Sequence, residues 1–204
     1  MNVQEATTRR LPDLKERHLP ENCRETINTI LKETYGYEQF RNLEIYDDLS
    51  KGKEKLCISQ GQLIENVILE AEKAWKGETQ VDNILLTAPT GSGKSLLFQL
   101  PAIYLGKEYN LLTIVVSPLK ALIVDQVESL QELGYARVAY ASSDLSPEQK
   151  MEVYRQVREG EIDLFYLSPE LLLSYDIKHF VGERRIGLVV VDEAHTVTTW
   201  GKEF

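Results

Sequence analysis

Two stretches of the chain, 111-LLTIVVS-117 and 186-IGLVVVDEA-194, lack the polar face of a half-exposed strand. Their centres, Thr113–Val116 and Leu188–Val191, do not alternate. Such strands must be covered on both sides, as a parallel sheet flanked by helices allows. Short apolar runs and longer amphipathic ones succeed each other from about residue 58. The runs are 84-ILLTA-88, 111-LLTIVVS-117, 137-RVAYAS-142, 163-DLFYLS-168 and 186-IGLVVVDEA-194. Between them 62-QLIENVILEAEKAW-75, a segment from Lys94, 119-LKALIVDQVESLQEL-133, 147-PEQKMEVYRQVREG-160 and 169-PELLL-173 have helical spacing. The pattern predicts an open α/β fold: a mostly parallel sheet of five or six strands with helices on both faces. In such a sheet a ligand is expected at the carboxyl ends of the strands.

Residues 1–57 read differently. They are polar, with one expected helix over Glu21–Tyr35 whose Ile27, Ile30 and Leu31 share a face, a stop at Gly36, and a charged loop at 47-DDLSKGKEK-55. The expected organisation is a small, mostly helical accessory segment over 1–57 followed by one lobe over 58–204. No apolar run approaches the ~20 residues of a membrane helix, and 1-MNVQEATTRRLPDLKER-17 lacks a secretory core. Cys23 and Cys57 match no metal spacing, so the cytoplasm is the expected compartment. The net charge of −9 is uneven. Residues 1–60 carry 10 Lys/Arg against 11 Asp/Glu, a net of −1, and residues 61–204 carry 13 against 21, a net of −8. A broadly basic nucleic-acid surface is thereby excluded; contact with a phosphate backbone must be local or completed by another element.

The chemistry concentrates in two places. In 88-APTGSGKS-95 the glycines Gly91 and Gly93 let backbone N–H groups approach a ligand, and the following helix points its N-terminus at the same spot. Lys94 supplies a cation for the outer phosphates and Ser95 a hydroxyl for Mg²⁺; Thr90, Gly91, Ser92, Gly93, Lys94 and Ser95 form the expected nucleotide cradle. Ala88 stands where the strict G-x-x-x-x-G-K-[ST] pattern has its first glycine. The second place is 188-LVVVDEAH-195, an apolar strand ending in two carboxylates. Asp192 can hold Mg²⁺, and Glu193 can accept the proton of a water attacking the γ-phosphoryl.

Together, 88-APTGSGKS-95, 117-SPLKAL-122, Asp125–Val127, Tyr166–Glu170, 192-DEAH-195 and the Trp200, Gly201 and Phe204 pattern resemble superfamily-2 DEAD/DEAH-box helicases, and among them the RecQ-like DNA helicases. The resemblance implies a RecA-like P-loop NTPase lobe that uses ATP and Mg²⁺ and acts on nucleic acid, single-stranded DNA before RNA. It implies that Gln62 reads the adenine edge, with Ile58 at a position the family usually gives to an aromatic residue. It implies that Ser117, Pro118 and Lys120 touch a single-strand backbone, that His195 couples hydrolysis to motion, and that Trp200 either stacks on a base or packs in a longer protein. The family's second RecA-like lobe, with its arginine finger, has no counterpart here. The expectation is a motor lobe truncated after its Asp-Glu-Ala-His motif, weakly active alone. Two alternatives stay open: a nucleic-acid-dependent ATPase that does not unwind, and a truncated nucleotide-binding interaction module.

Overall fold

A computed structural model describes residues 16–46, 55–86 and 91–194. The chain divides into two compact units, residues 1–101 and 102–204, with the division falling inside one helix.

In the first unit, α1 (Glu21–Tyr35) buries Ile27, Ile30 and Leu31 as expected. It closes on Gly36 at φ 69°, whose N–H donates to Lys32 O, while Tyr37 N–H reaches Leu31 O. That paired closure needs a left-handed residue, which glycine adopts without strain. Beside that helix the region holds strands that the sequence reading did not foresee. Strands β1 (Asn42–Tyr46) and β2 (Lys55–Ser59) pair antiparallel, with Asn42 opposite Ser59 and Tyr46 opposite Lys55. In 42-NLEIY-46 and 55-KLCIS-59 Leu43, Ile45, Leu56 and Ile58 fall at alternate positions, but runs of five residues are too short to stand out from a loop. The expected loop at 47–55 loses Lys55 to β2, and its residues 47–54 lie outside the described residues.

Helix α2 (Gln60–Trp75) follows directly, capped by Ser59 Oγ accepting from Gly61 N–H. Its buried Glu70 accepts from Arg17, Lys73 and the Asp82 N–H at 2.5, 3.0 and 2.9 Å. Burial alone would push that carboxyl up; the Asp82 N–H and the two cations outweigh it and hold Glu70 below the usual carboxylate range. A carboxylate depressed in the folded state adds stability that is complete above its unfolded pKa and lost as pH falls through the folded one. The thermal midpoint is therefore expected to drop below about pH 4, and Glu70→Gln to flatten that part of a midpoint-versus-pH curve.

Helix α3 (Leu96–Tyr109) leads into the second unit. There β3 (Leu112–Val116), β4 (Val138–Ala141), β5 (Leu164–Leu167) and β6 (Ile186–Val191) form a parallel sheet in the order β4-β5-β3-β6. The connecting helices are α4 (Lys120–Glu132), α5 (Pro147–Arg158), α6 (Pro169–Ser174) and α7 (Ile177–Val181). Pro147 opens α5 as expected, inside a capping box formed by Ser146 and Gln149. On one face Ile114, Val116, Phe165 and Leu167 pack with Tyr154, Val157, Phe180 and Val181. On the other, Val115 and Tyr166 are equally buried, so β3 and β5 are covered on both sides.

Two strand expectations fail. The described part of 84–88 forms no strand, and Leu85 is 83% exposed, so the sheet has four strands among the described residues where five or six were expected. Strand β6 is not covered on both faces: among the described residues it pairs with β3 alone, and Val189 is 58% exposed. Apolar composition signals the need for cover; it cannot supply the covering element.

Candidate nucleotide site and nucleic-acid face

The turn before α3 belongs to the first unit. Gly91 and Gly93 take φ 80° and 78°, as the phosphate-loop reading requires. Gln60, at the start of α2 and 2% exposed, donates through Nε2 to Ser92 O at 3.2 Å and, more weakly, to Gly93 O at 3.5 Å. A Cβ on Gly93 would stand 2.7 Å from that nitrogen, so the loop admits no side chain there. The Ser92 hydroxyl is buried with no hydrogen-bond partner among the described residues, an arrangement that costs about 1–3 kcal/mol unless another oxygen meets it. Lys94 and Ser95 follow, half-buried, with Lys94 O and Ser95 O accepting from Leu97 and Gln99 N–H as the helix begins. Thr90 and Ala88 lie outside the described residues.

The carboxylates belong to the second unit. Asp192 N–H donates to Val116 O at 2.9 Å, extending the ladder one residue beyond β6. Asp192 Oδ1 accepts from Glu193 N–H at 2.9 Å. Glu193 takes φ 50°, and it is one of two non-glycine residues with positive φ among those described. A left-handed glutamate costs on the order of 1–3 kcal/mol, and strain of this kind gathers at functional turns. His195 and Trp200 lie outside the described residues. No group of three or more His, Cys, Asp or Glu among the described residues could form a metal cage.

Around the expected base reader the geometry adds what sequence reading missed. Gln62 Nε2 donates to Arg17 O at 2.7 Å, so its amide already faces a peptide acceptor. Ile58 is core, 2% exposed. An aromatic ring does lie beside this glutamine: Phe40 packs so closely on Gly61 that a Cβ there would come within 2.6 Å of it. The β1–β2 ribbon separates Phe40 from Gly61 in sequence, and a fixed-spacing search cannot cross such an insertion. Nearby, Arg41 lies over the Tyr37 ring at 5.8 Å, and Tyr37 is 47% exposed.

The expected nucleic-acid residues sit at the carboxyl end of the sheet. Ser117 follows β3 fully buried, its N–H donating to Leu167 O and its hydroxyl without a partner. Pro118 is half-buried. Lys120 does not extend into solvent alone: its Nζ binds Ser143 Oγ at 2.5 Å and Asp144 Oδ1 at 2.9 Å, holding the Asp144 carboxyl below its ordinary range. Ser142 and Ser168 end β4 and β5 as Ser117 ends β3, so three buried serines line one edge of the sheet. A serine closing three of the five apolar runs was the sequence signal for that row.

Residues 62–204 match the DEAD/DEAH box helicase family. The chain is 30% identical over 179 residues to the ATP-dependent DNA helicase RecQ of Haemophilus influenzae, covering 88% of this chain and 24% of that protein. It is 33% identical over 183 residues to the RecQ helicase of Synechocystis, covering 89% and 32%. The chain thus spans between a quarter and a third of the length of these relatives. A solved DUF1998 helicase, MrfA, bound to DNA and AMPPNP, superposes with a TM-score of 0.52 at 22% identity, over 88% of this chain and 22% of that one. The likeness supports a helicase-lobe fold. No helix among the described residues is long and apolar enough to cross a membrane.

Proposed function

Because this chain belongs to the DEAD/DEAH box helicase family, we propose that it is the ATP-binding motor lobe of a RecQ-like DNA helicase, and that residues 58–204 form that lobe behind an accessory segment. The observation that carries the reading is the turn at Gly91 and Gly93: two left-handed glycines, an unpaired buried Ser92 hydroxyl, and the start of α3 together make a phosphate cradle. Lys94 neutralises the outer phosphates; Ser95 and Asp192 are the residues that would hold Mg²⁺. When bound, that ion supplies charge neutralisation between the β- and γ-phosphates. Glu193 accepts the proton of the attacking water. Thr90 closes the cradle, Gln62 reads the base by exchanging its bond to Arg17 O for the adenine edge, and Phe40 or Tyr37 offers a ring beside it.

Single-stranded DNA crosses the carboxyl edge of the sheet, past Ser117, Pro118 and Lys120, with Trp200 as a stacking surface and His195 as the coupling residue. Lys120 must leave Asp144 to serve a phosphate. A second RecA-like lobe completes hydrolysis and strand separation. The paired Lys120 and the net charge of −9 favour, as a second reading, an ATPase that tracks nucleic acid without unwinding it.

The test is calorimetric titration of Mg·ATP into the chain and into Lys94→Ala. Removing the ammonium is expected to weaken binding at least about thirtyfold, roughly 2 kcal/mol. Equal affinity for the two proteins would refute the phosphate-loop assignment.

A further inference from the structure

The two hydrogen bonds that Gln60 sends into the loop fix more than a contact. In a trans peptide the carbonyl and the N–H point in opposite directions. Ser92 O belongs to the peptide whose N–H is that of Gly93, and Gly93 O to the peptide whose N–H is that of Lys94. Drawing both oxygens toward Gln60 Nε2 therefore turns both N–H groups away from it, outward over the cradle. We infer that Gln60 is the positioning residue that aims the Gly93 and Lys94 amides at the nucleotide phosphates.

The side chain itself is held from behind. Gln60 Oε1 accepts from Arg41 N–H at 3.2 Å, and Gln60 N–H donates to Arg41 O at 2.9 Å. With its oxygen committed to Arg41, the amide can present only its nitrogen to the loop. Water cannot substitute, because Gln60 is 2% exposed. Arg41 and Gln60 are also the residues on either side of the β1–β2 ribbon, so the same amide links both feet of the ribbon to the loop. Gly93 fits this role, since any side chain would collide with the Gln60 nitrogen.

This inference rests on the reading of 88–95 as a phosphate loop, and its test separates the two. In the ¹⁵N-labelled chain, amide chemical shifts and hydrogen exchange of Gly93 and Lys94 are compared for the unaltered protein, Gln60→Glu and Gln60→Asn, followed by Mg·ATP titration of each. Gln60→Glu sets a charged acceptor against two carbonyls. It is expected to move both amide signals and speed their exchange about tenfold, leave amides of β3 and β5 unchanged, and weaken Mg·ATP binding about tenfold. Gln60→Asn, one methylene short, gives a smaller effect in the same direction and decides the matter if the glutamate variant does not fold. Unmoved Gly93 and Lys94 amides, or moved amides with unchanged Mg·ATP affinity, overturn the inference. Moved amides in a chain that binds no Mg·ATP at all would support the orienting role while removing the nucleotide reading.

Discussion

Glu193→Gln is expected to keep Mg·ATP affinity within about twofold while lowering the hydrolysis rate of the complete two-lobed motor by roughly 10²–10⁴, the range a positioned general base supplies. The amide preserves shape and volume but cannot take a proton. The backbone gives a second readout. Glu193 sits at φ 50° immediately after an Asp192 whose carboxylate accepts its N–H, so the side chain is aimed by a strained turn. Glu193→Gly should remove hydrolysis too, yet raise stability by about 1 kcal/mol, because glycine tolerates that φ. Single-turnover ATP hydrolysis and urea unfolding report the two effects separately. Normal turnover in Glu193→Gln would exclude this residue as the base.

Asp163→Ala should cost about 3–5 kcal/mol of stability, on the order of 10 °C in midpoint for a domain of this size. Asp163, just before β5, is almost fully buried and collects Arg137 Nε at 2.6 Å, Arg184 at 3.0 Å and the Tyr135 hydroxyl at 3.0 Å. The two arginines do not count equally. Arg137 is 46% exposed, so solvent recovers much of what it would lose. Arg184 is 5% exposed, and burial already pushes its pKa down against the pull of Asp163. Removing the carboxylate strands that second cation in a dry site. Gly106 marks how tight the site is, since a Cβ there would stand 2.4 Å from the Asp163 carboxyl carbon. Asp163→Asn, which keeps the volume and some hydrogen bonds, should lose less. Guanidinium unfolding of both variants tests the ranking, and a loss below about 1 kcal/mol for the alanine would show that the network contributes little.

What the sequence made legible was local. The apolar runs ending in Ser117 and Ser168, the glycines at 91 and 93, Pro147 at a helix start and the Ile27, Ile30 and Leu31 stripe each carry their cause within a few residues, and each stands in the structure as read. The antiparallel ribbon at 42–59 was missed although Leu43, Ile45, Leu56 and Ile58 alternate, because runs of five residues are too short to separate from loop and take strand form by pairing with each other. Two site features share that origin. Phe40 and Gln60 reach Gly61 and the 91–93 turn only after the ribbon folds back, and no spacing rule joins them to Gly61 or Gly93. Lys120 shows the converse: its position at the start of α4 was foreseen, while its capture by Asp144, 24 residues away, is purely tertiary.

Among the described residues, strand β6 is moored along one flank only, yet its tip leads into both acids. Segments held by fewer neighbours breathe at lower free energy than those locked between two. Asp192 and Glu193 therefore follow an edge strand, as compliant a rail as β4 at the opposite margin. Cover laid against Val189 and Val191 would stiffen that rail and steady the two carboxylates, and with them the hydrolysis we propose.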